Sequence, residues 1–411
     1  MDRWKRKTAL FLLSQGVSLF GSSIVQFAII WYVTKETSSG VLVSLLTVCA
    51  FVPQMLISFV SGAWADRHSK KLLIIISDTV IALATLALAM LMPSISDSGI
   101  LITALMITSV IRSLGTGVQQ PAVNAFLPQI VPTEKLMKVN GINSAVQAAV
   151  QFAAPAAAGI VLTFSTVQNA LFIDIATAAA GIGLLCCIAL PKAEVSKEQN
   201  ASMLEDIKAG ALYTFSDSFL RRLLLRFGIF IFLCVPAGFL ATLFVTRNYG
   251  AEYANMSIVE IVGFAGMMLG GLLIGAWGGF GNRIKTLVCG MLMFGLLAVG
   301  MGAVKNFIVY LVLMAVYGIA LTAIQTAVTT LIQEKSRLDM QGRVFGFMNI
   351  IYSGFLPIGM AVFGPLSDVV SLNLLMILSG VLLCAEALII VLDRKNYRMG
   401  ISQKAAQNAA E

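Results

Sequence analysis

Apolar runs of some twenty or more residues recur along the chain, each closed by a short polar or charged stretch. They fall at about 8–33, 41–64, 72–92, 100–120, 141–164, 168–190, 223–247, 257–278, 284–304, 306–332, 343–364 and 372–393. As a helix, about 20 mostly apolar residues cross a ~30 Å hydrocarbon core. The runs are continuous rather than alternating, which points to helices and not to the strands of a barrel. The pattern therefore predicts twelve membrane-spanning helices. The first run follows a basic N-terminus, as a signal peptide would. It is longer than such a peptide's apolar region and no small-x-small cleavage site follows, so it reads as an uncleaved first span.

The basic residues give an independent test of topology. With a cytoplasmic N-terminus, 23 of the 28 Lys and Arg lie in inside segments, three (Lys35, Arg247, Lys305) lie in outside loops, and Arg112 and Arg226 lie within spans. This is a strong positive-inside bias. Both termini then lie in the cytoplasm of a bacterial cell, with a multi-pass chain in its plasma membrane. The inside loops would face anionic lipids.

Composition narrows the class further. Of 411 residues, 58% are hydrophobic and 12% charged, against about 25% charged in a soluble domain. A soluble enzyme, a disordered chain and a nucleic-acid-binding module are excluded as main readings, and the loop asymmetry accounts for the net charge of +8. Cys49, Cys186, Cys187, Cys234, Cys289 and Cys384 all lie in apolar runs without C-x-x-C spacing, and read as buried free thiols. His68 is the sole histidine and no phosphate-binding G-x-x-x-x-G-K-[ST] loop occurs. No metal site, cofactor or enzymatic activity is expected.

The two halves echo each other. Val33-Thr34-Lys35 matches Val245-Thr246-Arg247, Gly62-Ala63-Trp64 matches Gly275-Ala276-Trp277, and Lys138-Val139-Asn140-Gly141 matches Arg343-Val344-Phe345-Gly346. Their order and near-constant offset imply duplication, and six spans per half imply parallel repeats about an axis along the membrane normal. The expected organisation is an N-terminal six-helix bundle over 1–190 and a cytoplasmic linker over 191–222 with a surface helix from Met203 to Phe215. A C-terminal bundle over 223–395 and a tail over 396–411 complete it.

Between spans 2 and 3 lies Gly62-Ala63-Trp64-Ala65-Asp66-Arg67-His68-Ser69-Lys70-Lys71. It resembles the G-x-x-x-D-R-x-x-[RK]-[RK] loop motif of the major facilitator superfamily at every fixed position. The second half keeps Gly275 and the basic residues to Lys285, with Gly279 at the Asp position. Pro121-Ala122-Val123, Leu127-Pro128, Val131-Pro132, Pro155 with Gly159, Val259-Glu260-Ile261 and Gly342-Arg343-Val344-Phe345 resemble the macrolide-efflux type of drug–proton antiporter. Arg112, followed by Gly115 and Gly117, stands one step out of register with the Arg-x-x-x-Gly pattern of such antiporters. The resemblance implies an all-α integral membrane fold of two pseudo-symmetric six-helix bundles working by alternating access, with spans 1, 4, 7 and 10 lining a central cavity.

Several residues are candidates for chemistry. Gly62, Asp66, Arg67, Lys70 and Lys71 form a candidate gating motif, with Asp66 placed to accept from a helix N-terminus; the alternative is a topology signal only. Charge within a span costs about 2.5–3.5 kcal/mol near the centre, so each such residue needs a reason. Arg112 and Asp78 reach similar depths on a rise of ~1.5 Å per residue, and the expectation is that they pair, or that Arg112 meets Asp66. Glu260, near the outer end of span 8, is a candidate proton carrier or an interfacial carboxylate. Glu386 in span 12 is a coupling carboxylate or the partner of Arg226. Asp174 is expected to hold a structural hydrogen bond, and Asp368 and Glu252 to be solvated.

Polar residues also recur at helical spacing: Gln15, Ser18, Ser22 and Gln26 in span 1, Asn140, Asn143, Gln147 and Gln151 in span 5, and Thr322, Gln325, Thr329 and Gln333 in span 10. Given the spans that the resemblance puts around the cavity, the first and third stripes, with Phe230, are candidate substrate contacts. Helix–helix hydrogen bonding is the alternative. Gly266, Gly270 and Gly271 are read as close helix contacts, and Pro53, Pro155, Pro236 and Pro357 as kinks.

The reading is a monomeric exporter of a lipophilic drug, of macrolide type, exchanged for protons. The alternatives are a tetracycline or multidrug exporter, a metabolite transporter of the same fold, and a non-transporting scaffold.

Overall fold

The computed structural model describes residues 3–132, 135–188, 212–337 and 340–393. The helices are α1 (Arg3–Thr37), α2 (Gly40–Arg67), α3 (Lys70–Leu91), α4 (Ser98–Ile130), α5 (Leu136–Phe164), α6 (Val167–Cys186), α7 (Ser218–Leu233), α8 (Ala241–Tyr249), α9 (Tyr253–Trp277), α10 (Arg283–Ala303), α11 (Phe307–Lys335), α12 (Gln341–Val369) and α13 (Leu372–Leu392). A short 3₁₀ turn at Met92–Ser94 follows α3. The linker helix expected from Met203 lies outside the described residues except for its end, where 212–216 are helical; the tail over 396–411 lies outside them altogether.

Short polar side chains start many of these helices. Ser69, Asp97, Thr166, Asp217, Asn282, Asn306 and Ser371 each accept from a backbone N–H in the first turn. Such caps satisfy donors that have no partner within the helix. They lie between the apolar runs, so each apolar face begins within a turn of its cap.

Among the described residues, eleven helices are long and apolar enough to cross a membrane. The expected seventh span is broken: α7 ends at Leu233 and α8 starts at Ala241. Pro236 has no N–H to continue the helix. The backbone turns instead through Gly238 N donating to Cys234 O (2.9 Å) and Leu240 N donating to Val235 O (3.0 Å). Polar backbone without water must be satisfied internally, and these turns do so in a segment whose Cys234, Val235, Ala237 and Leu240 are buried. Pro53, Pro155 and Pro357 sit inside helices that continue past them. Only Pro236 of the four marks a break.

The chain forms two compact units. The first comprises Met1–Ser38, Leu45–Met203 and Ala251–Ile258, the second Ser39–Ser44, Leu204–Gly250 and Val259–Glu411. Within the first, α1 packs on α5 and α6, and α3 on α4 and α6. One core cluster gathers Phe11, Ile74, Phe126, Leu127 and Leu185; another gathers Ile24, Trp31, Ala154, Ala158, Leu162 and Met256. Within the second, α10 packs on α11 and α13, and α7 on α12. There α9 meets α11 so closely that a Cβ on Gly266 would lie 2.0 Å from Ala315 O and one on Gly270 would lie 2.8 Å from Ile319 Cα. Gly271, expected to make such a contact, faces open space.

Candidate functional site

Four helices of the first unit converge on buried polar side chains. Arg112 of α4 forms an ion pair with Asp174 of α6. The same Arg112 Nη1 donates to Thr85 Oγ1 of α3 (2.6 Å), and Nη2 donates to the Ser22 carbonyl of α1 (3.2 Å). Asp174 also accepts from Ser22 Oγ and from Thr85 Oγ1, each at 3.2 Å. Arg112 is 8% exposed and Asp174 1%. Every member supports another, as a buried charge pair requires to offset its desolvation.

The expected pairing of Arg112 with Asp78 is therefore corrected, and Arg112 is committed to Asp174 rather than Asp66. Equal depth does not by itself bring two side chains together. Side chains on a helix lean toward its N-terminus, so Arg112 reaches up α4 to the level of Thr85, two turns beyond Asp78 on α3. Asp78, 3% exposed, is held instead by neutral donors: Ser18 Oγ at 3.2 Å and Gln119 Nε2 at 2.6 Å, both on Oδ1. Its Oδ2 is buried with no hydrogen-bond partner, as is Nε2 of Gln15, one turn before Ser18 on α1. Gln119 was not singled out from sequence, although it lies seven residues after Arg112 on the same face of α4.

The span 1 stripe divides. Ser18 and Ser22 spend their hydroxyls on Asp78 and Asp174, while Gln26 is exposed. In the span 5 stripe Asn140 and Gln151 are exposed and Asn143 and Gln147 half-buried. In the loop motif, the side chains of Gly62, Asp66 and Arg67 lie outside the described set, and Lys70 is half-buried. Lys71 donates to the Cys186 carbonyl (3.0 Å) and the Ile188 carbonyl (2.8 Å), so its ammonium caps the C-terminal end of α6. In the second half Gly278 and Gly279 have φ of 77° and 73°, which suits glycine where the first half has Asp66. Arg283 holds that turn through the Gly278 carbonyl (2.7 Å) and bonds Glu334 (3.2 Å).

In the second unit Glu260 of α9 makes no hydrogen bond or ion pair among the described residues, although Tyr310 and Tyr317 of α11 lie within electrostatic range of it. Tyr310 is fully buried with an unpartnered hydroxyl. Its ring packs on Phe244 (5.3 Å) and Tyr249 (5.5 Å), and that of Tyr317 on Phe294 (4.2 Å). Phe230 joins this set through Phe294 (5.0 Å) and is 1% exposed; it is a core residue and not the cavity contact expected. Thr322 bonds the Met267 and Gly318 carbonyls, Gln325 is exposed and Thr329 half-buried. Glu386 pairs with Arg226 at 2.9 Å, which takes up the alternative raised for it.

Two further expectations are corrected. Asp368 is not simply solvated: it accepts from Ser39, Gly40, Val41 and Arg247. Of the six free cysteines only Cys234 is buried, while Cys186, Cys187 and Cys289 are exposed on apolar helices or at their ends. Nothing in the sequence near Asp368 signals its partners, because Gly40 lies more than 300 residues away.

Comparison with known proteins agrees with this architecture. The chain is 28% identical over 396 residues to macrolide efflux protein A of Streptococcus pyogenes, covering 94% of this chain and 96% of that one. It is 23% identical over 361 residues to the multidrug efflux pump Tap of Mycobacterium bovis, covering 86% and 84%. A solved bacterial homologue of the iron transporter ferroportin superposes with a TM-score of 0.71 at 15% identity, over 94% of this chain and 98% of that one. The Major Facilitator Superfamily profile matches residues 11–360, and the chain belongs to that superfamily of multi-pass membrane transporters.

Proposed function

We propose that this transporter exports a lipophilic drug of macrolide type across a bacterial cytoplasmic membrane by alternating access, in exchange for protons. The observation that carries the substrate class is the end-to-end similarity to macrolide efflux protein A. The proton reading rests on the contrast between two buried carboxylates. Asp174 has Arg112 to offset its charge, whereas Asp78 has only the neutral donors Ser18 and Gln119 and one oxygen without a partner. A lone ionised carboxylate is costly in hydrocarbon, and a proton is the partner small enough to enter and leave such a site. Ser18 and Gln119 fix Oδ1, so the free Oδ2 is the atom that takes and releases the proton. Glu260, also without a hydrogen bond or ion pair among the described residues, is the second carrier candidate, and the Arg112–Asp174 pair holds α4 and α6 in place around Asp78. Both termini and the basic loops face the cytoplasm in this reading, where the loops meet anionic lipids. The similarity to Tap favours a broader multidrug range as the second reading.

The test is drug susceptibility of an efflux-deficient bacterium expressing the chain, with and without a protonophore. Resistance confined to macrolides and abolished by the protonophore is the expected result. Resistance spread over unrelated drugs would favour the multidrug reading. Unchanged susceptibility, with the chain shown to be in the membrane, would overturn both.

A further inference from the structure

Three helices of the second unit bring one end each to the same place: α7 starts there at Ser218, α10 starts at Arg283 and α13 stops at Leu392. An open groove lies between them, walled by the buried side chains Leu223, Leu287 and Ile390. Arg222, Arg226 and Asp393 stand in the same groove. The basic-residue bias assigns this end of the unit to the cytoplasmic side. Arginine side chains on α7 lean toward the helix start, and so toward that side.

The two arginines use little of their bonding capacity. Arg222 Nη1 donates to Asp393 (3.0 Å) and Arg226 Nη1 donates to Glu386 (2.9 Å), and each arginine makes that one bond among the described residues. A guanidinium carries five N–H donors in a planar fork. The remaining donors are not sealed from the surface, and the side chains are 39% and 20% exposed. Arg112 of the first unit is built otherwise: it is shut in and spreads its donors over Asp174, Thr85 and the Ser22 carbonyl. The spacing keeps the groove open. Arg222 and Arg226 are one turn apart on α7, whereas Glu386 and Asp393 are two turns apart on α13, so the ion pairs stand apart with Ile390 between their carboxylates. Leu225 and Ile229, which flank the arginines on α7, and Ile389 beside Ile390 are exposed apolar side chains. On a membrane-spanning helix acyl chains cover such a surface.

The groove thus sets two guanidiniums against one carboxylate, next to hydrocarbon-facing side chains. A ligand that fits both features is an oxyanion attached to acyl chains, and the arginine fork matches phosphate oxygens. We propose that this groove seats one anionic phospholipid, with its phosphate on Arg222 and Arg226 and its acyl chains along Leu225 and Ile229. The seat is one lipid at one place, distinct from the diffuse attraction of basic loops to the leaflet. It needs only that the chain lies in a membrane, and no particular cargo.

The test is native mass spectrometry of the full chain, purified in detergent, stripped of lipid and titrated with phosphatidylglycerol. One tightly held lipid per chain is expected, bound about fivefold tighter than phosphatidylcholine. Arg222→Gln should weaken it about tenfold. Arg226→Lys keeps a cation opposite Glu386 but loses the fork, and should weaken it about fivefold; if Arg222→Gln does not fold, this variant decides alone. Arg221→Gln and Lys285→Gln remove exposed charge at the same end outside the groove, and should change binding by less than about twofold. Equal losses at all four positions, or equal binding of phosphatidylcholine, would overturn the seat. Inorganic phosphate should leave the lipid in place; phosphate bound in its stead would make this a site for free anions and overturn the lipid reading. The measurement involves no drug, so it stands whether or not macrolide export is found.

Discussion

In the first unit Arg112, Asp174, Ser22 and Thr85 bond to one another across α1, α3, α4 and α6, and Asp78 is held separately by Ser18 and Gln119. In the second, Glu260 makes no hydrogen bond or ion pair among the described residues, and charge is paired at separate places, as in Arg226–Glu386, Arg247–Asp368 and Arg283–Glu334. The halves share a repeated sequence pattern, yet their corresponding helices carry different chemistry. One half fixes charge in the Arg112–Asp174 set beside an Asp78 whose Oδ2 has no partner, and the other fills the same kind of helical frame with Phe230, Phe294, Tyr310 and Tyr317.

The comparison breaks most readily at Arg112. Arg112→Ala leaves Asp174 buried and unpaired, and should cost about 3–5 kcal/mol, read as a lowered Tm in detergent. Adding Asp174→Ala should recover part of that loss, because the two sites act as one unit. An unchanged Tm for Arg112→Ala would mean the network does not hold the first unit together. Next comes Arg226→Ala, which strips Glu386 of its cation in the second unit. That pair is less buried than Arg112–Asp174, at 20% and 11% for the two side chains, so a smaller loss than for Arg112→Ala is expected. A loss matching that of Arg112→Ala would erase the difference between the units.

The smallest stability effects sharpen the contrast by function. Glu260→Gln removes no bond and should change stability by no more than about 0.5 kcal/mol. Asp78→Asn keeps an acceptor for Ser18 and Gln119 and should likewise fold normally, while drug export falls at least tenfold in a transport assay. Export unaffected by Asp78→Asn but lost in Glu260→Gln would move the proton carrier into the second unit.

The spans and the superfamily were legible because both are written along the chain: apolar runs of membrane length, and the loop from Gly62 to Lys71. What was not legible depends on direction around and along a helix. Depth placed Arg112 opposite Asp78, but the lean of side chains toward the helix N-terminus carried it to Thr85 and Asp174. Periodicity found the face bearing Ser18 and Ser22 without saying whether that face met substrate or another helix, and both hydroxyls went to aspartates. Pro236 looked like Pro53, Pro155 and Pro357, and only the irregular turns through Gly238 distinguish it. Asp368 read as a loop carboxylate because its partners come from α2 and α8, distant in sequence.

In the proposed mechanism, drug movement is exchanged for a proton carried at Asp78. The direct measurement is proton flux in proteoliposomes holding the purified chain, followed with a pH-sensitive dye after a macrolide is added on one side. Proton movement opposite to the drug is expected, absent in Asp78→Asn and retained when Arg226→Ala replaces it as a control. Macrolide transport with no proton movement, or proton movement undiminished in Asp78→Asn, would contradict it.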